Sequence, residues 1–320
     1  MGTGRMAGIM ADTVRQMPDA QVYAVASRDA GRAAAFVSEH FPEGDRPKAF
    51  GSYEQMVSDP RVEMVYVATP HSEHFSHAML AVRAGRPVLC EKSFCGNARQ
   101  ARELISAAED SGVFIGEAMW IRYKPFVKDL PALISTIDPQ MLVCSLGYPK
   151  WFKPVITERS LCGGAMMDLG VYLLNFARIC FGSDVADVKG HCIKSPETGL
   201  DVQDCISLIY SDSRLVNMQC SVMCANDRQG MICGKNGYII VDNINNPQEY
   251  RLFDKDHQLV KTLVSGPEIS GYEYEVRACI DAIRSGRLEP SDMPHSETLA
   301  ILDTMDSLRR SWGIIFPCDR

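Results

Sequence analysis

Three sets of residues in this chain combine side-chain type and spacing in ways that suit chemistry. The first is the turn Gly2-Thr3-Gly4-Arg5-Met6-Ala7, a G-x-G-x-x-A pattern in front of the amphipathic stretch AGIMADTVRQM. Such a turn lets backbone N–H groups and a helix N-terminus close on a dinucleotide pyrophosphate, with Gly2, Gly4, Arg5 and Met6 at the phosphates. The alternative is an N-terminal coil with a fortuitous Gly-Thr-Gly. The second set is Ser27-Arg28, at the end of the β-rich run QVYAVAS, about 20 residues beyond the turn. An acidic residue there would take the ribose hydroxyls of NAD, whereas a hydroxyl and a guanidinium suit the 2′-phosphate of NADP. NADP(H) is expected; NAD is the alternative, with Arg28 solvated and Asp29 on the ribose. The third set is Asp168 and Tyr172, four apart in GGAMMDLGVY, a spacing that puts both on one face of a helix. Hydride transfer at a carbinol carbon must be matched by proton transfer on its oxygen, and a phenol near pKa ~10 is a poor base at neutral pH. A neighbouring ammonium lowers that value by roughly 1–3 units. Lys92, at the end of the apolar run RPVLCEK, is the candidate ammonium, at the carboxyl end of a strand where open α/β sheets place their ligands. The competing readings are a solvated strand cap for Lys92 and core filling for Asp168 and Tyr172.

The elements that must position these residues are legible in two blocks. From Gln21 to about Met119, short β-rich runs (QVYAVAS, VEMVYVATP, RPVLCEK, VFIGEAM) alternate with helical periods (AGRAAAFVSEHF, SYEQMVSDP, FSHAMLAVRAG, ARQARELISAAEDSG), the pattern of a parallel sheet covered on both faces. After Lys124 the text changes. Helical PFVKDLPALIS, the strand MLVCSLGY and a helix from Ala165 to Cys180 precede seven longer β runs joined by turns such as SDSR and GKNG, which favour antiparallel pairing. Two helices, YEYEVRACIDAIRSG and SETLAILDTMDSLRRSW, close the chain. The fold class is α/β: a doubly wound domain over residues 1–120, then an α+β domain over 121–320 with an open, mostly antiparallel sheet.

Five stretches, VYVATPHSEHF, LCEKSF, GEAMWIRYKP, GGAMMDLGVYLLNF and MPHSETLAILDTMDSLRRSWGIIFP, follow one another in the order of the glucose-fructose oxidoreductase/inositol dehydrogenase (Gfo/Idh/MocA) superfamily. The chain resembles that family over nearly its whole length, in particular its dimeric dihydrodiol dehydrogenase, NADP-dependent D-xylose dehydrogenase and glucose-fructose oxidoreductase branch. The resemblance implies a Rossmann domain, a second domain that dimerises through its open sheet, and NAD(P)-dependent oxidation or reduction of a sugar, polyol or cyclic trans-diol. It implies that Lys92 and Tyr172 serve proton transfer, that Asp168 holds a neighbouring substrate hydroxyl, and that Thr69, Pro70, His71 and Glu91 lie at the cofactor. Trp120, Arg122, Tyr148 and Trp151 match residues that line the substrate cleft; core packing is the other reading of these aromatics. Ser93 stands where the family's E-K-P pattern has proline, which loosens the turn after Lys92. Two further possibilities within the fold are a non-catalytic nucleotide-binding protein and a cofactor-recycling isomerase or glycosidase.

Composition narrows the partners. Net charge is −7 over 320 residues with no long run of one sign, so nothing offers a field to nucleic acid or an anionic membrane. No apolar stretch reads as a membrane span or signal peptide, and a cytoplasmic location is expected. The 12 cysteines are scattered through apolar runs without a C-x-x-C, which reads as reduced thiols and no structural metal. His71, His74 and His77 drift off one helix face with no carboxylate or thiolate to complete a metal set. His74 and His77 are expected on the helix surface, and His71 toward the nicotinamide.

One feature of the opening is unusual: only Met1 precedes the glycine turn, where a doubly wound sheet has its central strand. The expectation from sequence is that Met1 is an internal methionine, with an apolar strand some 6–10 residues upstream. The alternative is that another segment fills the position.

Overall fold

The computed structural model describes residues 1–42, 44 and 46–320, which divide into two compact units. The first contains Met1–Trp120 and Glu268–Leu299, the second Ile121–Pro267 and Ala300–Arg320.

In the first unit, β1 (Ala24–Ala26) pairs in parallel with β2 (Lys48–Phe50), and β3 (Val65–Val67), β4 (Val88–Glu91) and β5 (Ile115–Ala118) form a parallel sheet in that order. All residues of β4 and β5 are buried, as strands covered on both faces must be. The two pieces are joined at the opening residues: Gly2 N–H donates to Ala26 O at 3.1 Å, Ala68 N–H donates to Met1 O at 2.9 Å, and the Met1 amino group donates to Tyr66 O at 2.6 Å. Two residues thus stand where a doubly wound sheet has a full central strand. Burial pushes the Met1 amino group down to about 5. The segment 268–299 extends this unit beyond the 1–120 span read from the sequence, and the reason is burial. Its helix Glu273–Arg284 packs Val276, Cys279 and Ala282 against Met10, Val14, Leu89, Phe114 and Ala118.

The second unit is built on eight strands: β6 (Pro139–Gly147), β7 (Val185–Lys194), β8 (Asp201–Tyr210), β9 (Leu215–Ser221), β10 (Gly230–Gly234), β11 (Gly237–Val241), β12 (Glu249–Asp254) and β13 (Leu259–Val264). Their order is β13-β12-β11-β10-β6-β9-β8-β7, and every pair except β6–β9 is antiparallel. Burial alternates as one covered face requires. On β8, Val202, Asp204, Ile206, Leu208 and Tyr210 point inward, and the Tyr210 hydroxyl donates to Ala177 O in the helix Val171–Phe181 at 3.2 Å. The opposite face leaves Val143, Ile209, Leu215 and Met231 exposed. The helical stretch Arg159–Phe181 is long and apolar enough to cross a membrane by length and composition, but 83% of its most apolar window is buried within the protein.

Candidate active site

The first unit carries the dinucleotide features. Gly2 has φ +93°, and a Cβ on it would lie 2.5 Å from Ala68 O, so only glycine lets the chain pass β3 here. Gly4 is the N-cap of the helix Arg5–Val14. No acidic residue occupies its first turn, and among the described residues no side chain caps that helix and nothing lies within 4 Å of where a Gly4 Cβ would sit. Open N–H groups and the positive end of the helix dipole fit a pyrophosphate. Beyond β1, Ser27 is buried and Arg28 exposed. Asp29 caps the helix Ala30–His40 by accepting from Arg32 N–H at 2.8 Å, which commits one of its oxygens to that helix. The residues present fit a dinucleotide at this position.

Two strand ends meet beside Lys92. Pro70 precedes the helix His71–Arg83, and His74 in its first turn is buried rather than on the surface. The His74 ring reaches Thr69 O at the end of β3 and Ser93 O after β4, each at 2.8 Å, and these carbonyls make burial of a polar ring tolerable. Burial, aided by His71 and His77, pushes its pKa down to about 3 despite the two carbonyls. His77 is also largely inside, its Nδ1 3.0 Å from Thr69 Oγ1 and its ring edge-on to Tyr53. His71 packs edge-on to His74. No cluster of metal-ligating side chains exists among the described residues. Glu91 is buried and accepts from the Tyr66 hydroxyl; Lys92, half-buried, follows it at the carboxyl end of β4. Glu117 on β5, a residue the sequence did not single out, accepts from Phe94 N–H at 3.2 Å and from the Thr298 hydroxyl at 2.8 Å. Together His74 and Glu117 hold the turn that Ser93 was expected to loosen. Trp120 is buried with its ring stacked on Tyr272 at 4.4 Å and against Gly271.

The second unit carries Asp168 and Tyr172. Residues Met166–Gly170 form one π turn ahead of the helix Val171–Phe181, with Val171 N–H reaching back to Met166 O. Asp168 lies in this turn and Tyr172 in the helix that follows it. Asp168 Oδ2 is 2.6 Å from Lys150 Nζ, and the Lys150 ammonium lies 4.8 Å from the centre of the Tyr148 ring. Lys150 was missed in the sequence, where only its aromatic neighbours in YPKWF drew notice. Arg228 donates to the Tyr148 hydroxyl at 3.0 Å, which donates to Asn245 Oδ1 at 3.0 Å. Arg122 Nε donates to Asn175 Oδ1 at 2.6 Å, in the same helix as Tyr172. Tyr172 is nearly buried, Trp151 is half-buried, and Phe152 is 77% exposed.

Comparison with known proteins shows the family. Residues 1–118 match the family model for an oxidoreductase family with an NAD-binding Rossmann fold, and residues 138–240 match the GFO/IDH/MocA C-terminal domain. The chain belongs to the Gfo/Idh/MocA oxidoreductase family. Trans-1,2-dihydrobenzene-1,2-diol dehydrogenase of Xenopus laevis is 31% identical, covering 98% of this chain and 97% of the relative. The Homo sapiens enzyme of the same name is 30% identical, covering 94% and 91%. Among solved structures, a 3-ketoreductase from Actinomadura kijaniata in complex with NADP and TDP-benzene superimposes with a TM-score of 0.86 at 21% identity, covering 97% of this chain and 95% of that one. Aldose-aldose oxidoreductase from Caulobacter crescentus gives 0.83 at 19% identity, covering 98% and 96%. As a member of the Gfo/Idh/MocA family, the protein is an NAD(P)-dependent dehydrogenase.

Proposed function

We propose that this Gfo/Idh/MocA dehydrogenase uses NADP(H) to interconvert a carbinol and a carbonyl on a sugar, polyol or cyclic trans-diol. The observation that carries the reading is Lys92 at the carboxyl end of β4, with its turn fixed by His74 and Glu117. Tyr172 is assigned the proton exchanged with the substrate oxygen, and Lys92 is assigned to assist it. Asp168, paired with Lys150, is assigned to accept from an adjacent substrate hydroxyl and so to orient the ring. Tyr148 and Trp151 offer apolar surface to the same substrate. When bound, the nicotinamide supplies or accepts the hydride. Ser27 and Arg28 favour the 2′-phosphate, and the open Gly4 helix end takes the pyrophosphate.

The exposed apolar residues Val143, Ile209, Leu215 and Met231 on the uncovered sheet face support a homodimer through that face. Sedimentation of the wild type and of a Leu215→Lys, Met231→Lys variant tests it. The catalytic reading is tested by steady-state turnover of NADPH and NADP against paired panels of aldoses, dicarbonyls and cyclic diols. Tight nucleotide binding without turnover over the whole panel would favour a non-catalytic protein, and retention of nucleotide through purification would favour recycling chemistry.

A further inference from the structure

Below the π turn lies an acid pair that the proposed reaction does not use. Asp201 opens β8 and Asp204 lies three residues on; both side chains are buried, Asp201 at 0% exposure. Asp201 Oδ2 accepts from the N–H of Met166, the first residue of the π turn, at 2.5 Å. Gly164, at φ +114°, passes so close that a Cβ would lie 2.3 Å from Asp201 Oδ1, so the chain before the turn is shaped around this carboxylate. The Asp204 carboxyl is within hydrogen-bonding reach of Asp201 and takes the Cys220 thiol at 3.3 Å. One oxygen of each acid, Asp201 Oδ1 and Asp204 Oδ1, has no other partner among the described residues.

Two adjacent buried carboxylates cannot both stay ionised without a counter-ion; one proton held between them satisfies the two orphaned oxygens. The asymmetry of the surroundings assigns it. Asp201 receives the Met166 N–H and feels Arg309, whereas Asp204 is met by the Cys220 thiol and the other acid. Burial raises both acids, Asp204 well above the usual carboxylate range because Asp201 also lies beside it, so the shared proton rests on Asp204 while the Met166 N–H and Arg309 favour the charge on Asp201. The titratable groups around the pair are Cys220, Cys192 across the β7–β8 ladder and, by charge, Arg309.

We infer that the Asp201 carboxylate, steadied by Asp204, is the positioning group that holds the π turn and so sets how Asp168 and Tyr172 are presented. This rests on the proposed roles of those two residues. Asp168 N–H reaches back to Gly164 O at 3.4 Å, but Met166 N–H lies in the first turn, where a helix has no carbonyl of its own to offer, so this end needs an acceptor from outside. Asp201 supplies the acceptor that the helix lacks there, from a strand that cannot shift without disturbing the sheet.

The test compares Asp201→Asn, which keeps an oxygen acceptor, with Asp201→Ala and Asp201→Ser, which do not reach Met166, and with Asp204→Asn, which mimics the protonated acid. Amide hydrogen exchange across residues 163–172 of the nucleotide-loaded protein is the primary readout, with kcat, KM and nucleotide affinity beside it. Asp201→Ala and Asp201→Ser are expected to speed exchange in that segment by about tenfold or more. They are expected to lower kcat by about 10- to 100-fold, with nucleotide affinity changed less than about threefold. Asp201→Asn should rescue both exchange and kcat, and Asp204→Asn should resemble the wild type. Wild-type exchange in Asp201→Ser, or Asp201→Asn as impaired as Asp201→Ser, overturns the inference. A Tyr172→Phe enzyme with full turnover would instead overturn the proposed chemistry, while the exchange comparison still decides what Asp201 does.

Discussion

His74 offers a prediction whose sign distinguishes two physical effects. Its ring is 1% exposed and lies between the carbonyls of Thr69 and Ser93, each 2.8 Å away. Two carbonyl acceptors would suit an imidazolium, since a neutral ring has one N–H and can satisfy only one of them. Burial opposes the charge, as do His71 and His77, and burial is the larger effect, leaving the group near 3 against 6.5 in an exposed histidine. The unfolded chain therefore takes up a proton near pH 6.5 that the folded protein accepts only near pH 3. Stability from this residue is fully present above pH 6.5 and declines as the solution is acidified toward pH 3. At 1.36 kcal/mol per unit, the decline reaches about 2 kcal/mol at pH 5. Urea unfolding of the wild type and His74→Gln at pH 8 and pH 5 measures it. The buried Met1 amino group, near 5 against 8.0, destabilises in the same direction over this range but equally in both proteins, so the difference between them isolates His74. The wild type should lose about 2 kcal/mol more than the variant on acidification. An imidazole NMR titration placing His74 at or above 6.5, or a wild type that gains on the variant at pH 5, would show that the carbonyls dominate and refute the reasoning.

Three further outcomes follow from the sites above. Arg28→Ala should erase the preference for NADPH over NADH; the parent's preference, from a charge-assisted contact of ~1.5–3 kcal/mol, is expected to be about ten- to a hundredfold and is read by fluorescence titration of both nucleotides. Tyr172→Phe should lower kcat by about 10²–10⁴-fold while nucleotide binding survives, and Lys92→Ala should cost at least as much and also weaken nucleotide binding. Gly2→Ala forces a Cβ to 2.5 Å from Ala68 O at a positive φ, so a melting temperature several degrees lower and weaker NADPH binding are expected; an unchanged melt would mean that the turn relaxes freely.

The parallel strands, the antiparallel second sheet and most helices could be read because each carries a long run of the right period. β2 escaped notice because Lys48-Ala49-Phe50 is three residues at an exposed edge, too short to show a pattern. The positions of Lys92 at a strand end and of Tyr172 on a buried helix were legible; what surrounds them was not. His74 sits three residues from His71, a spacing that reads as surface until two carbonyls, 5 and 19 residues away, are brought to its ring. Lys150 meets Asp168 across 18 residues, and Glu117 meets Thr298 across 181, separations that local patterning does not encode. The π turn has no sequence period of its own and depends on Asp201, 35 residues beyond Met166.

The way the first unit is threaded has a consequence on the ribosome. Its sheet and first helices are made early, but Val276, Cys279 and Ala282, which seal Met10, Leu89 and Phe114, follow the whole of residues 121–267. At ~5–20 residues per second, the nascent nucleotide-binding half waits about 8–30 s with that apolar face uncovered. Synthesis rate, growth temperature and chaperone supply therefore bear on the yield of native protein through the order in which the pieces emerge. A fragment ending near Trp120 lacks the helix that closes its own core.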